Sequence, residues 1–183
     1  YFINQGFKDH RIFSNYGIIL KDHGNLKEAE LYTRKAIEIK PDLGDAYYNL
    51  GSILKTLGKS QEAERYTRKA IEINPNVADA HLNLGTILYD LGKQKEAELS
   101  YRKAIEINPD YDDAHYNLGV ILKDLGKAKE AELSLSKVIE INPSYAEAHI
   151  NLGIILRNNG SLEEAELSLR NAIKINPFNP EAH

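Results

Sequence analysis

The stretch GDAYYNLGSILKTLGKSQEAERYTRKAIEINPNV, residues 44–77, contains a complete structural unit. Ala46, Leu50, Ile53, Leu54 and Leu57 recur at helical spacing and predict a first helix with one apolar face. Gly58 closes it, because glycine accepts the left-handed conformation on which helices commonly stop. Lys59 and Ser60 make the turn. Ala63, Tyr66, Thr67, Ala70, Ile71 and Ile73 then predict a second amphipathic helix. Asn74-Pro75 ends it, since proline disfavours a helical residue before it. Two helices joined by so short a turn form an antiparallel hairpin. No segment reads as a strand.

The unit recurs along almost the whole chain. Its terminal proline returns as Pro41, Pro75, Pro109, Pro143 and Pro177, a period of 34 residues. A fixed period of this length marks a solenoid, in which each unit buries its apolar face on its neighbours. The expected layout is the end of a preceding helix at 1–9 and five repeats at 10–43, 44–77, 78–111, 112–145 and 146–179. Residues 180–183 would open a sixth. An array cut at both ends leaves apolar helix faces uncovered, so end-to-end self-association is one expectation.

Composition limits the function. The 183 residues carry a net charge of -4, so no global basic field recruits nucleic acid. With no Cys, disulfides, thiol nucleophiles and cysteine metal sites are excluded. No apolar run approaches the ~18 residues of a membrane span, and no signal peptide is visible, so membrane partners are not expected and a cytoplasmic setting is.

Small residues recur where helices must approach. Gly51 costs ~1 kcal/mol against alanine in a helix, yet returns as Gly17, Gly85, Gly119 and Gly153. Ala63 returns as Ala29, Ala97, Ala131 and Ala165. On the outer face of the second helix, Glu30/Arg34, Glu64/Arg68, Glu98/Arg102 and Glu166/Arg170 are i,i+4 pairs in the favourable order, each contributing a few tenths of a kcal/mol. This face reads as solvated.

Catalytic and metal sites find no support. His81, His115, His149 and His183 share one register, but equivalent positions on packed helices stand ~8–10 Å apart, too far to share one zinc ion at ~2.0–2.1 Å. Carboxylates such as Glu62 and Glu64 repeat because the unit repeats, and no asymmetric cluster marks an active site. No glycine-rich loop could cradle phosphates. The expectation is a non-enzymatic chain without metal or cofactor.

The spacing of Asn-Leu-Gly, Ala and Pro resembles the tetratricopeptide repeat (TPR) family, over Ile12 to Asn179. The resemblance implies an all-α, right-handed superhelix, an α-solenoid of antiparallel helix pairs, with the first helices lining a concave groove. One departure is visible. The family often places an aromatic residue three positions before Leu-Gly; Phe13 and Tyr47 fit, whereas His81, His115 and His149 do not.

Packing does not demand the asparagine that precedes each Leu/Tyr-Gly pair: Asn15, Asn49, Asn83, Asn117 and Asn151. Asparagine is a mediocre helix former, but its amide is donor and acceptor together. In the family's groove, a ladder of such amides could bond the backbone of an extended peptide or protein segment whatever its side chains. The alternative is that the asparagines only bond neighbouring helices. The ladder is similar to the TPR arm of the O-linked N-acetylglucosamine transferases, especially at ADAHLNLGTIL (Ala78–Leu88) and DDAHYNLGVIL (Asp112–Leu122). That likeness implies an arm guiding protein substrates to an enzyme, not the activity itself.

Neighbouring registers complete the expected groove. Ser14, Tyr48, Leu82, Tyr116 and Ile150 precede the asparagines; Lys21, Lys55, Tyr89, Lys123 and Arg157 follow them. Tyr48, Leu82, Tyr89 and Tyr116 would supply contact area, with Lys55 and Lys123 beside them. The acidic row Asp45, Asp79 and Asp113 opposes both a carboxylate clamp of the chaperone-binding kind and a nucleic-acid site. A scaffold working through its ends or outer face is the remaining alternative.

Overall fold

A computed structural model describes residues 9–177. The expected end of a preceding helix and the opening of a sixth repeat lie outside the described residues. These fold into ten α-helices, with no strand among them: α1 (His10–Asp22), α2 (Leu26–Ile39), α3 (Gly44–Thr56), α4 (Ser60–Ile73), α5 (Ala78–Asp90), α6 (Gln94–Ile107), α7 (Asp112–Asp124), α8 (Ala128–Ile141), α9 (Ala146–Asn158) and α10 (Leu162–Ile175). The chain forms two compact units, one ending at Lys93 and the other beginning at Gln94.

In the first unit, α1 packs on α2 and α3 on α4, while α2 also packs on α3 and α4 on α5. Leu50, Leu54, Ala63 and Ile87 form its central cluster, with Tyr66 and Leu91 against it. In the second unit α7 pairs with α8 and α9 with α10, while α6 packs on α7 and α8 on α9. Its most deeply buried side chains include Ile121, Leu122, Leu135 and Val138.

The stop signals act as the sequence indicates. Gly58 adopts φ 73°, and the amide of Lys59 reaches back to the Leu54 carbonyl at 2.9 Å. This is the left-handed closure that terminates a helix while satisfying its last carbonyls. Asn74 leaves α4 at φ -128° and ψ 87°, as the following proline requires. Within the hairpins the helix glycines mark contact rather than flexibility. A Cβ on Gly119 would stand 2.7 Å from Cγ of Leu135.

The histidine column has a structural role. In the first two hairpins the aromatic residue of that register stacks on a tyrosine of the paired helix: Phe13 on Tyr32 at 6.1 Å and Tyr47 on Tyr66 at 6.2 Å. The later histidines instead place Nε2 at 2.9, 2.9 and 3.1 Å from the carbonyl oxygens of Pro75, Pro109 and Pro143. A carbonyl only accepts, so Nε2 carries the proton. Each histidine ties the proline loop to the helix that follows. The tyrosine partner is correspondingly replaced by serine, and Ser168 Oγ donates to the His149 carbonyl at 2.9 Å.

The outer face of the second helices differs from a simply solvated one. Glu30 accepts from Arg34 at 2.8 Å and also from Lys59, on the next hairpin, at 2.9 Å. Arg34 continues to Glu62 at 2.9 Å. Glu64 repeats the pattern with Arg68 at 3.0 Å and Lys93 at 2.7 Å. In the second unit Glu98 binds Arg102 at 2.9 Å and Lys127 at 2.8 Å, and Arg102 continues to Glu130. Three of the four i,i+4 pairs, all but the exposed Glu166/Arg170, are nodes in a lattice that joins one hairpin to the next. Sequence alone shows the four-residue separation; the 28- and 29-residue separations close only when hairpins stack.

Candidate functional site

The first helices of successive hairpins touch one another, α3 standing between α1 and α5 in the first unit and α7 beside α9 in the second. Each asparagine lies in the middle of such a helix, but the five amides are placed differently. Asn15 is exposed, Asn49 and Asn117 are half-buried, and Asn83 is buried. Among the described residues, the side chains of Asn15, Asn49 and Asn117 have no hydrogen-bond partner.

Asn83 turns inward, its amide nitrogen 3.4 Å from the Thr67 hydroxyl. Asn151 is engaged on every side. Its oxygen accepts from Lys123 at 2.6 Å, and its nitrogen donates to the Glu147 carbonyl at 3.0 Å and the Tyr116 hydroxyl at 3.3 Å. Lys123, Tyr116 and Asn151, three residues singled out from sequence, therefore meet in the second unit.

Tyr116 also stacks on Tyr145, ring centres 4.9 Å apart, and the Tyr145 hydroxyl donates to Asp113 at 3.0 Å. Burial, and then the Asp113 charge, push the Tyr145 phenol well above its ordinary value, so it remains a neutral donor. Tyr145 is a site residue that the sequence reading missed. Its signal was available: the same register holds Leu43 and Val77 in the first two repeats and changes to tyrosine at Tyr111 and Tyr145.

In the first unit, Tyr48 is half-buried, and burial followed by the charge of Asp79 raises its phenol. Lys55 is half-buried, and desolvation lowers its ammonium despite the opposing pull of Asp90. Leu82 is half-buried and Tyr89 exposed. Two positions in the register before asparagine are not open surface: Ser14 is buried, and Ile150 is buried against Ala172 with Ile154 and Ile173 around them. Among the described residues no three His, Asp or Glu side chains form a metal-binding group. No described helix is long and apolar enough to cross a membrane.

Stacked helix hairpins with a repeated set of side chains on their first helices define an α-solenoid interaction module. Tetratricopeptide repeat models match residues 10–43, 44–77, 66–98, 112–145 and 135–166, and a further TPR model matches 85–126. Together these matches run from residue 10 to residue 166, and the chain belongs to the tetratricopeptide repeat family.

Among solved structures, the chain is 27% identical to YrrB, described as a TPR protein with an unusual peptide-binding site; the match has a TM-score of 0.81 and covers 98% of this chain and 93% of that one. MamA is 22% identical, with a TM-score of 0.82, over 88% of this chain and 94% of that one. PilF of Pseudomonas aeruginosa is 21% identical, with a TM-score of 0.86, over 94% of this chain and 79% of that one. The last two likenesses show the fold alone. No curated protein sequence matches the chain significantly.

Proposed function

We propose that the chain binds an extended peptide or protein segment along its first helices, through the asparagine amides and the adjoining tyrosines. The observation that supports this most is the state of Asn49 and Asn117. Each is a half-buried amide without a hydrogen-bond partner among the described residues, in the register the repeat preserves. Such an amide can give and take one bond from a peptide backbone. The peptide-binding site of YrrB supports the same class of ligand. Single neutral hydrogen bonds contribute only ~0.5–1.5 kcal/mol net, so binding should be micromolar and need contacts with several amides.

A pool of fluorescently labelled unstructured peptides, read by anisotropy, tests this. The Asn49→Ala/Asn117→Ala protein should keep its thermal midpoint, since surface changes that break no contact stay within about 0.5 kcal/mol. Its affinity should fall about tenfold, or about 1.4 kcal/mol. Equal binding by both proteins would assign the asparagines to the scaffold. Asn83→Ala is the contrasting change, because it removes a buried contact to Thr67 and should act on stability.

The likeness of Ala78–Leu88 and Asp112–Leu122 to glycosyltransferase TPR arms favours a second reading. In it the same face guides protein substrates to an enzyme. A glycosyltransferase domain encoded beyond residue 183 would support it, and an unrelated continuation would remove it.

A further inference from the structure

Among the described residues the outer ion-pair lattice is interrupted at Glu132, beside exposed leucines of a register that is also exposed next to the intact nodes, at Leu31 and Leu99. Glu132 occupies on α8 the register of Glu30, Glu64 and Glu98. By that register its two cations should be residues 136 and 161. Both are serine where earlier repeats carry Arg34, Arg68 or Arg102 and Lys59, Lys93 or Lys127. Glu164 loses a partner for the same reason, because Ser136 replaces the arginine that would reach it as Arg102 reaches Glu130. Among the described residues neither Glu132 nor Glu164 has an ion pair, and Lys129, one turn before Glu132, reaches neither.

Leu133 and Leu167 stand beside these carboxylates at equivalent positions on α8 and α10, 72% and 63% exposed. Leu162, at the start of α10, is exposed as well. An open hollow of about 850 Å³ adjoins Leu133, lined by Glu130, Glu132 and Asn159 together with Lys127 and Lys129. Isolated exposed leucines need no explanation, but an apolar group rimmed by charge marks an interaction surface.

We propose that this outer face of α8 and α10 docks an arginine-bearing amphipathic helix of another protein. Charge complementarity selects the occupant. A guanidinium already bridges two carboxylates of successive hairpins in this fold, at Glu98 and Glu130. A partner's arginine would take the corresponding place between Glu132 and Glu164, completing the lattice from outside. An amphipathic helix presents an apolar stripe beside such a cation, and the stripe would cover Leu133 and Leu167. The site is separate from the asparagine-bearing face of the first helices.

The probe is a fluorescein-labelled helical peptide carrying leucines seven residues apart with an arginine between them, in an alanine–glutamine background. Its control has glutamate for arginine. The 183-residue chain should bind the arginine peptide about tenfold more tightly than the control, as expected when like charges oppose docking. Ser136→Arg/Ser161→Lys supplies the missing cations from within the chain. It should raise the thermal midpoint and weaken peptide binding about tenfold, so the loss cannot come from unfolding. Leu133→Ser/Leu167→Ser should lower affinity to a similar extent with unchanged circular dichroism, whereas Asn49→Ala/Asn117→Ala should leave it intact. The proposal is overturned if the chain fails to bind the arginine peptide or to prefer it over the control. It is likewise overturned if the Ser136→Arg/Ser161→Lys protein binds as well as wild type, or if the asparagine variant alone loses binding.

Discussion

Replacing Gly119 by alanine is expected to destabilise the protein by about 1–3 kcal/mol, although the same change in an open helix is favourable. In a solvated helix, alanine gains ~1 kcal/mol over glycine. At Gly119 the added Cβ would stand 2.7 Å from Cγ and 3.0 Å from Cδ2 of Leu135, with the Ala131 carbonyl oxygen 3.5 Å away. Leu135 is completely buried, so its side chain has no solvent-side position to move into. Overpacking of this kind costs about 1–3 kcal/mol, which for a chain of this size is a fall of several degrees in thermal midpoint.

Leu135→Ala removes the obstacle but leaves a cavity, at about 2–5 kcal/mol. The two changes share one space, so the double variant should be more stable than the sum of the single effects. Thermal denaturation of the three variants measures this. An unchanged midpoint for Gly119→Ala would show that the α7–α8 contact is looser than the geometry indicates.

The second large effect lies in the ion-pair lattice. Burial acts to raise the Glu98 carboxyl, but hydrogen bonds from Lys127 and Arg102 outweigh it and hold the group below the usual carboxylate range. Glu30 and Glu64 are held low in the same way by Lys59 with Arg34, and by Lys93 with Arg68. A carboxyl with a lower pKa folded than unfolded contributes its stability above the unfolded value, about 4.3. That contribution is lost as pH falls through the folded value. Denaturant midpoints should therefore be level at neutral pH and drop as the solution is acidified below about pH 4.3.

Glu98→Gln should cost about 1.5–3 kcal/mol at pH 7, the range for hydrogen bonds to charged groups. It should also flatten the acid limb. Glu132→Gln provides the control: the same register without its cations should shift stability by less than about 0.5 kcal/mol. Equal effects at Glu98 and Glu132 would mean that the lattice contributes nothing beyond exposed charge.

The hairpins were legible in the sequence because everything that forms them is local. Leu50, Leu54 and Leu57 meet along one face through helical spacing alone. Gly58 and Pro75 stop helices by their own backbone chemistry, and the period then places every later helix by repetition. The column of asparagines was equally visible, but its chemistry was not. Asn83 bonds Thr67, sixteen residues back, whereas Asn117 has the buried Tyr101 at that distance. Asn151 is engaged by Lys123 and Tyr116, 28 and 35 residues away.

The outer face divides in the same way. The four-residue pairing of Glu98 with Arg102 is written in one helix, but the contact of Glu98 with Lys127 exists only when hairpins stack. The missing cations around Glu132 gain meaning only from that stacked pattern. The sequence by itself thus determined the helix pairs, their stops and their family, because short-range backbone preferences and a repeated apolar face suffice for those. Which of five equivalent amides stays open, and where the charge lattice breaks, was decided by tertiary structure. Those outcomes depend on side chains from different repeats, whose separation in space the linear order does not state.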